Sequence, residues 1–278
     1  MESTFKPIVI PTDFTVVAQH AIDSAANIAK VANTSLMLLH IVKNSSEIPE
    51  ATVKLEAAVQ ENAGKHGVTV KGIVRSGSIF TTIGEVVTEV DAGLVLMGTH
   101  GIKGMQKLTG SWALKVIVTS KVPFIVVQGA PKKTTIDRIV FPVDFRRENR
   151  EKIGWSYFVA KMFNSKVYVF RSEPSKDKKL EHGVRANVVF TEKFMRSKNI
   201  RYEIAVAKGK NSFAKETLQY AEENNADLIL INTTKGISTL DFVLGTAEED
   251  LIVNDANIPI MCVNPRKTVV SGFSATGG

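Results

Sequence analysis

Apolar residues fall along this chain in groups of two lengths. Short runs such as KPIVIP, SLMLLHIV, VTVKGIVR, GLVLMG and PFIVVQ have the length and β-branched content of strands. Between them, the longer segments 18–32, 50–66, 78–90 and 111–120 carry apolar residues at helical spacing. The strand runs are apolar on both faces and each is followed by a helix, which predicts a parallel sheet covered on both sides. Right-handed crossovers then make the sheet doubly wound.

The pattern occurs twice. PIVIPTDF (7–14) returns as RIVFPVDF (138–145), which pairs Pro11 with Pro142, Asp13 with Asp144 and Phe14 with Phe145. The offset of 131 holds without a gap as far as Asn33 and Asn164. Further on, RSGS (75–78) faces AKGK (207–210), LVLMG faces LILIN, Gly110-Ser111 faces Gly245-Thr246, and VPFIVV faces IPIMCV. The economical reading is two tandem copies of one α/β domain, 1–131 and 135–266, with 267–278 as a mobile tail. Strands of the second copy are expected near 138–143, 166–170, 201–207, 227–232 and 258–263, and the charged segment 174–199 as a helix. The last runs, Phe124–Val127 and Ile260–Val263, would be bare edges in isolated domains, so they are expected to pair antiparallel within the chain.

Composition narrows the function classes. A single cysteine among 278 residues excludes an internal disulfide and any four-cysteine metal site. No apolar run approaches the ~20 residues of a spanning helix, and the N-terminal stretch is not a signal peptide, which implies a cytoplasmic protein. The net charge of +7 is spread over both halves. Charge runs such as FRRENREK (145–152) read as solvated faces, and the aromatic-basic interleaving of an RNA-binding sheet is missing, so neither nucleic acid nor membrane is expected as partner.

In doubly wound sheets, ligands lie beyond the carboxyl ends of the strands, where the strand order reverses. Asp13 ends the first strand and Gly98, with Gly101, Gly104 and Gly110, follows the fourth, so both fall on one rim. Asp13 suits either a cap or turn carboxylate, or a group that bonds a ribose hydroxyl or holds Mg²⁺ through water. Glycines let backbone N–H groups approach phosphate, and a helix starting at Ser111 offers its positive end. Lys103 and Lys107 are either phosphate partners or exposed lysines. His40 reads as a packed or rim histidine, and the serines of GSIF and KNSF as helix caps. No P-loop, catalytic triad, nucleophile elbow or zinc spacing is present, so catalytic and metal-ligating residues are not assigned.

These residues meet a known pattern. PIVIPTDFTVVAQHAIDSAANIAK and VLMGTHGIKGMQKLTGSWALKVIVTSKVPFIVV closely resemble universal stress proteins, and the second copy does so more faintly. The resemblance implies two Rossmann-like, adenine-nucleotide-hydrolase-like domains, each a five-stranded parallel sheet flanked by helices. It also implies a regulatory or protective role, with ATP or a related ligand and Mg²⁺ in the first copy, at most slow ATP hydrolysis, and pairing through the last strand with a homodimer as an option. Carried over from the family's binding pattern, the site residues are Asp13, Ile41, Gly98, Gly101, Gly110 and Ser111. The spacing departs from that pattern. Eight residues separate Gly101 from Gly110 where the family has nine, and one residue rotates a starting helix by about 100°. The second copy keeps nine but puts Asn232 and Lys235 in place of the leading glycines. The alternative is an interaction or small-molecule module with vestigial pockets. An adenylate-forming enzyme on the same fold is disfavoured, because its SGGxDS-type loop and HxGH pair are missing.

Overall fold

The computed structural model describes residues 5–99, 116–117, 120–146, 150, 152–233, 251–252 and 254–264. Gly101, Gly104, Gly110, Ser111, Lys103, Lys107, Lys235, Gly245, Thr246 and the tail expected at 267–278 lie outside these residues. The first half runs β1 (Ile8–Pro11), α1 (Val16–Ala32), β2 (Leu36–Val42), α2 (Ile48–His66), β3 (Val70–Ser76), α3 (Ile79–Glu89), β4 (Leu94–Gly98) and β5 (Phe124–Val127). The second runs β6 (Arg138–Val143), α4 (Ile153–Phe163), β7 (Lys166–Arg171), α5 (Lys178–Ser197), β8 (Tyr202–Val206), α6 (Phe213–Glu223), β9 (Leu228–Asn232) and β10 (Ile260–Val263).

Four helices, α1, α3, α5 and α6, start where the sequence supplies oxygen acceptors for the free N–H groups of a first turn. The Thr15 hydroxyl accepts from the Ala18 N–H at 3.3 Å, Ser78 from Phe80 at 3.3 Å, and Ser212 from Lys215 at 3.3 Å. Asp177 accepts from Lys179 and Leu180, so the charged 174–199 segment forms α5 as its pattern implies. Asn33 and Asn164 close α1 and α4 in the left-handed conformation, which asparagine tolerates.

The strands form one sheet in the order β3-β2-β1-β4-β5-β10-β9-β6-β7-β8. Every pairing within a half is parallel. The halves meet where β5 and β10 run antiparallel, Met261 opposite Ile125. Strand order reverses beside β1 in the first half and beside β6 in the second, giving the doubly wound α/β architecture. Alternation along the strands divides the core. Ile8 and Ile10 pack under α1 and α2 in a layer continuous with α4 of the second half, while Val9 packs under α3 on the opposite face. Phe5 stacks on Phe158 across the halves, ring centroids 5.0 Å apart. Side chains beyond the last strands also cross between halves. Asn264 Nδ2 donates to Ser120 O at 2.9 Å and to Ile117 O, and Gln128 Nε2 donates to Ile252 O.

One expectation needs correction. The run 145–152 is not wholly a solvated face, because Lys152 is only 2% exposed. It stands directly before α4, and its amine points under the rim, to the Pro142 carbonyl.

Candidate functional site

The rim at the carboxyl ends of β1, β2 and β4 is built by local chemistry. After β1 the chain must turn at once into α1, and Thr12 and Asp13 shape that turn. The Thr12 hydroxyl accepts from Phe14 N–H at 3.1 Å. Asp13 Oδ1 accepts from the Thr15 N–H at 3.1 Å and the Thr15 hydroxyl at 2.6 Å. Asp13 is thus a turn carboxylate, and the helix cap proper is Thr15. Phe14 pays for the tight turn with a left-handed φ of 63°, a conformation that costs a non-glycine residue about 1–2 kcal/mol. Its ring is held by the His40 imidazole, centroids 4.5 Å apart, and by Lys54 Nζ at 4.4 Å. His40 Nδ1 sits 2.7 Å from the Thr12 carbonyl, so this histidine braces the turn from the rim, in keeping with its sequence reading.

The turn walls a cleft of about 290 Å³, close to the lower limit of ~300 Å³ for ordinary ligand pockets. Asp13, Ile41 and Gly98 all line it. Gly101, Gly110 and Ser111 fall outside the described residues, so half of the expected set is located. Asp13 is the sole carboxylate among the described lining residues, and both Thr15 bonds fall on its Oδ1.

Gly98 has a reason to be glycine that the sequence does not show. A Cβ there would lie 2.4 Å from the Val17 carbonyl oxygen and 2.6 Å from Val17 Cγ1. The end of β4 runs against the first turn of α1, and only a residue without a side chain fits. Gly77 and Lys43, which the sequence reading passed over, also line the cleft. Gly77 adopts φ +147°, and its position at a strand end within RSGS was the signal that could have found it.

Among the described residues, the same rim in the second half carries charged side chains that pair with one another. Asp144 accepts from Arg146 N–H at 2.9 Å and from Arg146 Nε and Nη2 at 2.6 Å each. Burial works to raise the Asp144 carboxyl, and the Arg146 guanidinium overrides it and holds the group below the usual carboxylate range. Arg171 and Ser172 occupy the positions of His40 and Ile41, and Arg171 Nη2 reaches both Glu181 oxygens, at 3.0 and 3.2 Å. After β8, the N–H groups of Lys208, Gly209, Lys210 and Asn211 converge on the Glu216 carboxylate at 2.6–3.1 Å. Such a concave row of amides is an anion site, and here the chain supplies the anion. The first half has Thr82 where Glu216 stands, beneath a loop two residues shorter.

Among the described residues no cluster of three or more His, Cys, Asp or Glu suits a metal ion, and no helix is long and apolar enough to cross a membrane.

Fold and rim together define a doubly wound α/β protein with a cleft at the switch point of its first half. The sequence model of the universal stress protein family matches residues 4–128. A universal stress protein of Synechocystis is 32% identical over 135 residues, 44% of this chain and 85% of that protein. One from Methanocaldococcus jannaschii is 31% identical over 148 residues, 48% of this chain and 86% of its own length. The chain belongs to the universal stress protein family. Its fold over both halves is that of a universal stress protein from Archaeoglobus fulgidus. That crystal structure is 18% identical and superposes with a TM-score of 0.78 over 96% of this chain and 100% of the other.

Proposed function

We propose that this chain is a tandem, regulatory or protective universal stress protein whose first half binds ATP or a related adenine nucleotide. The supporting observation is the convergence of Asp13, Ile41 and Gly98 on one cleft at the switch point of the sheet. In this reading Ile41 borders the base and Asp13 bonds the ribose or a metal-bound water. Mg²⁺ carried on the phosphates would meet Asp13, since that ion uses one or two carboxylates together with substrate phosphates. Gly101, Gly110 and Ser111 complete the phosphate side. The domains run 1–131 and 135–266, and the unit is the single chain, closed through β5 and β10, working in the cytoplasm. The second half takes no nucleotide: Arg146, Glu216 and the Arg171–Glu181 pair already fill its rim. Among the described lining residues the groups able to take a proton are Asp13, His40 and Lys43; Asp13 is engaged by Thr15 and His40 by the Thr12 carbonyl, and efficient catalysis is not part of the proposal.

A second reading, a vestigial pocket in a protein-interaction module, is favoured by one observation. Packing against Val17 explains Gly98 without any phosphate. Mass spectrometry of ligand released from freshly purified full-length protein separates the two. Adenine nucleotide approaching one equivalent per chain supports the first reading, and a different molecule, or empty protein that also ignores added ATP, supports the second.

A further inference from the structure

Lys152 is a charge placed where the fold has little use for one. The gap-free correspondence between the halves sets it opposite Ala21, a buried residue of α1. It is 2% exposed and stands at the start of α4, the positive end of a helix dipole, where a cation is disfavoured. Nζ donates to the Pro142 carbonyl and lies 4.5 Å from the centroid of the Phe141 ring. An ammonium has three donors, and that carbonyl is the one hydrogen-bond acceptor described for it. Among the described residues, the charged groups that act on it are Asp144 and Arg146, both from the connection between β6 and α4. From α5 that connection meets neutral Asn187, which donates to the Asp144 and Arg146 carbonyls. Arg150 is engaged by Asn187 Oδ1 at 3.3 Å and by the Phe190 ring.

We propose that Lys152 is a proton switch in the second half, its amine changing charge within the folded protein and thereby altering the hold of Arg146 on Asp144. With the amine uncharged, Arg146 holds Asp144 through its Nε and Nη2. With the amine charged, the ammonium draws Asp144 and repels the guanidinium. The Arg146 side chain is 40% exposed and has solvent to move into. Burial drives the amine down to about 7, with Asp144 opposing the shift and Arg146 reinforcing it. A fall of one pH unit centred on that value takes the charged fraction from about a quarter to about three-quarters. The half least suited to nucleotide is thus the half that responds to neutral pH, whether or not the first half binds ATP.

The test is NMR on the full-length chain with ¹³C-labelled lysine and ¹⁵N-labelled arginine, titrated from about pH 6 to about pH 9 around the expected midpoint. One lysine Cε resonance, assigned by its loss in Lys152→Met, is expected to titrate near neutrality while the others do not. The Arg146 Nε–H resonance should move with the same midpoint in the wild-type protein, a readout that needs no variant. Arg146→Gln should raise the midpoint, because the repulsion goes and Asp144 stays. Lysines that all titrate together near 10, or an Arg146 resonance indifferent to pH across this range, would overturn the proposal.

Discussion

Replacing Gly98 by alanine separates packing from phosphate binding at the residue where sequence and structure give different reasons for glycine. The added Cβ would meet the Val17 carbonyl oxygen at 2.4 Å and Val17 Cγ1 at 2.6 Å, far inside ordinary contact distance. The Val17 methyl can rotate, but the carbonyl belongs to the first turn of α1 and moves only with the helix. Overpacking of this kind costs about 1–3 kcal/mol, and a backbone obstacle places Gly98→Ala near about 3 kcal/mol. Gly64 is the control. It sits inside α2 with nothing within 4 Å of its would-be Cβ. There, alanine should stabilise the protein by about 0.5–1 kcal/mol through helix propensity. Urea unfolding of both variants without nucleotide, followed by circular dichroism, measures the two effects as midpoint shifts of opposite sign. A Gly98→Ala protein as stable as wild type would refute the packing argument and return Gly98 to the phosphate explanation alone.

Further consequences follow from the second half and from the crossing contacts. Lys152 has a depressed folded-state pKa, so its penalty is complete below about pH 7 and fades as pH rises toward the unfolded lysine value. Wild-type stability relative to Lys152→Met should therefore rise by about 2 kcal/mol between about pH 7 and about pH 9, measured by urea unfolding at both values; a flat difference would contradict the burial of the amine. Glu216→Ala should strip the anion from four loop amides and lower the thermal midpoint, with added sulfate restoring part of the loss, whereas a sulfate effect equal to that on wild type would count against the amide site. Asn264→Ala should leave Ser120 O without its described donor and Ile117 O with the Ser120 N–H alone, and cost about 1–3 kcal/mol, seen as faster amide exchange at 120–122; unchanged exchange there would remove Asn264 as a link between the halves.

The strands were the most legible part of this chain. Parallel strands buried on both faces must be nearly continuous apolar runs, and VYVF and LILI become β7 and β9 within a residue or two of their expected ends. Capping was legible for the same local reason, since Ser78 and Ser212 carry their acceptors beside the turns they close. What eluded the sequence depends on contacts between distant segments. Gly98 looked like a phosphate glycine, yet its immediate constraint is Val17 on another element. Lys152 sat in a charged run that reads as surface, and only its alignment with Ala21 hinted at burial. Glu216 resembled an ordinary first-turn glutamate of α6, because the amides it gathers come from the loop before the helix. In the cleft, Asp13 and Gly98 were nameable from their place after β1 and at the end of β4, and Ile41 from the family's binding pattern, while Gly77 and Lys43 became apparent only as its walls.

The central claim, one adenine-nucleotide site in the first half and none in the second, is tested most directly by calorimetric titration of ATP into the full-length wild-type protein and Ile41→Ser. Serine is the residue the second half carries at this position, as Ser172. Losing the apolar contact with the base over roughly 60 Å² should cost about 1.5 kcal/mol, or about tenfold in affinity. The account predicts one site per chain in wild type and binding about tenfold weaker in Ile41→Ser. No binding at saturating ATP, two equal sites, or an affinity unchanged by Ile41→Ser would contradict it.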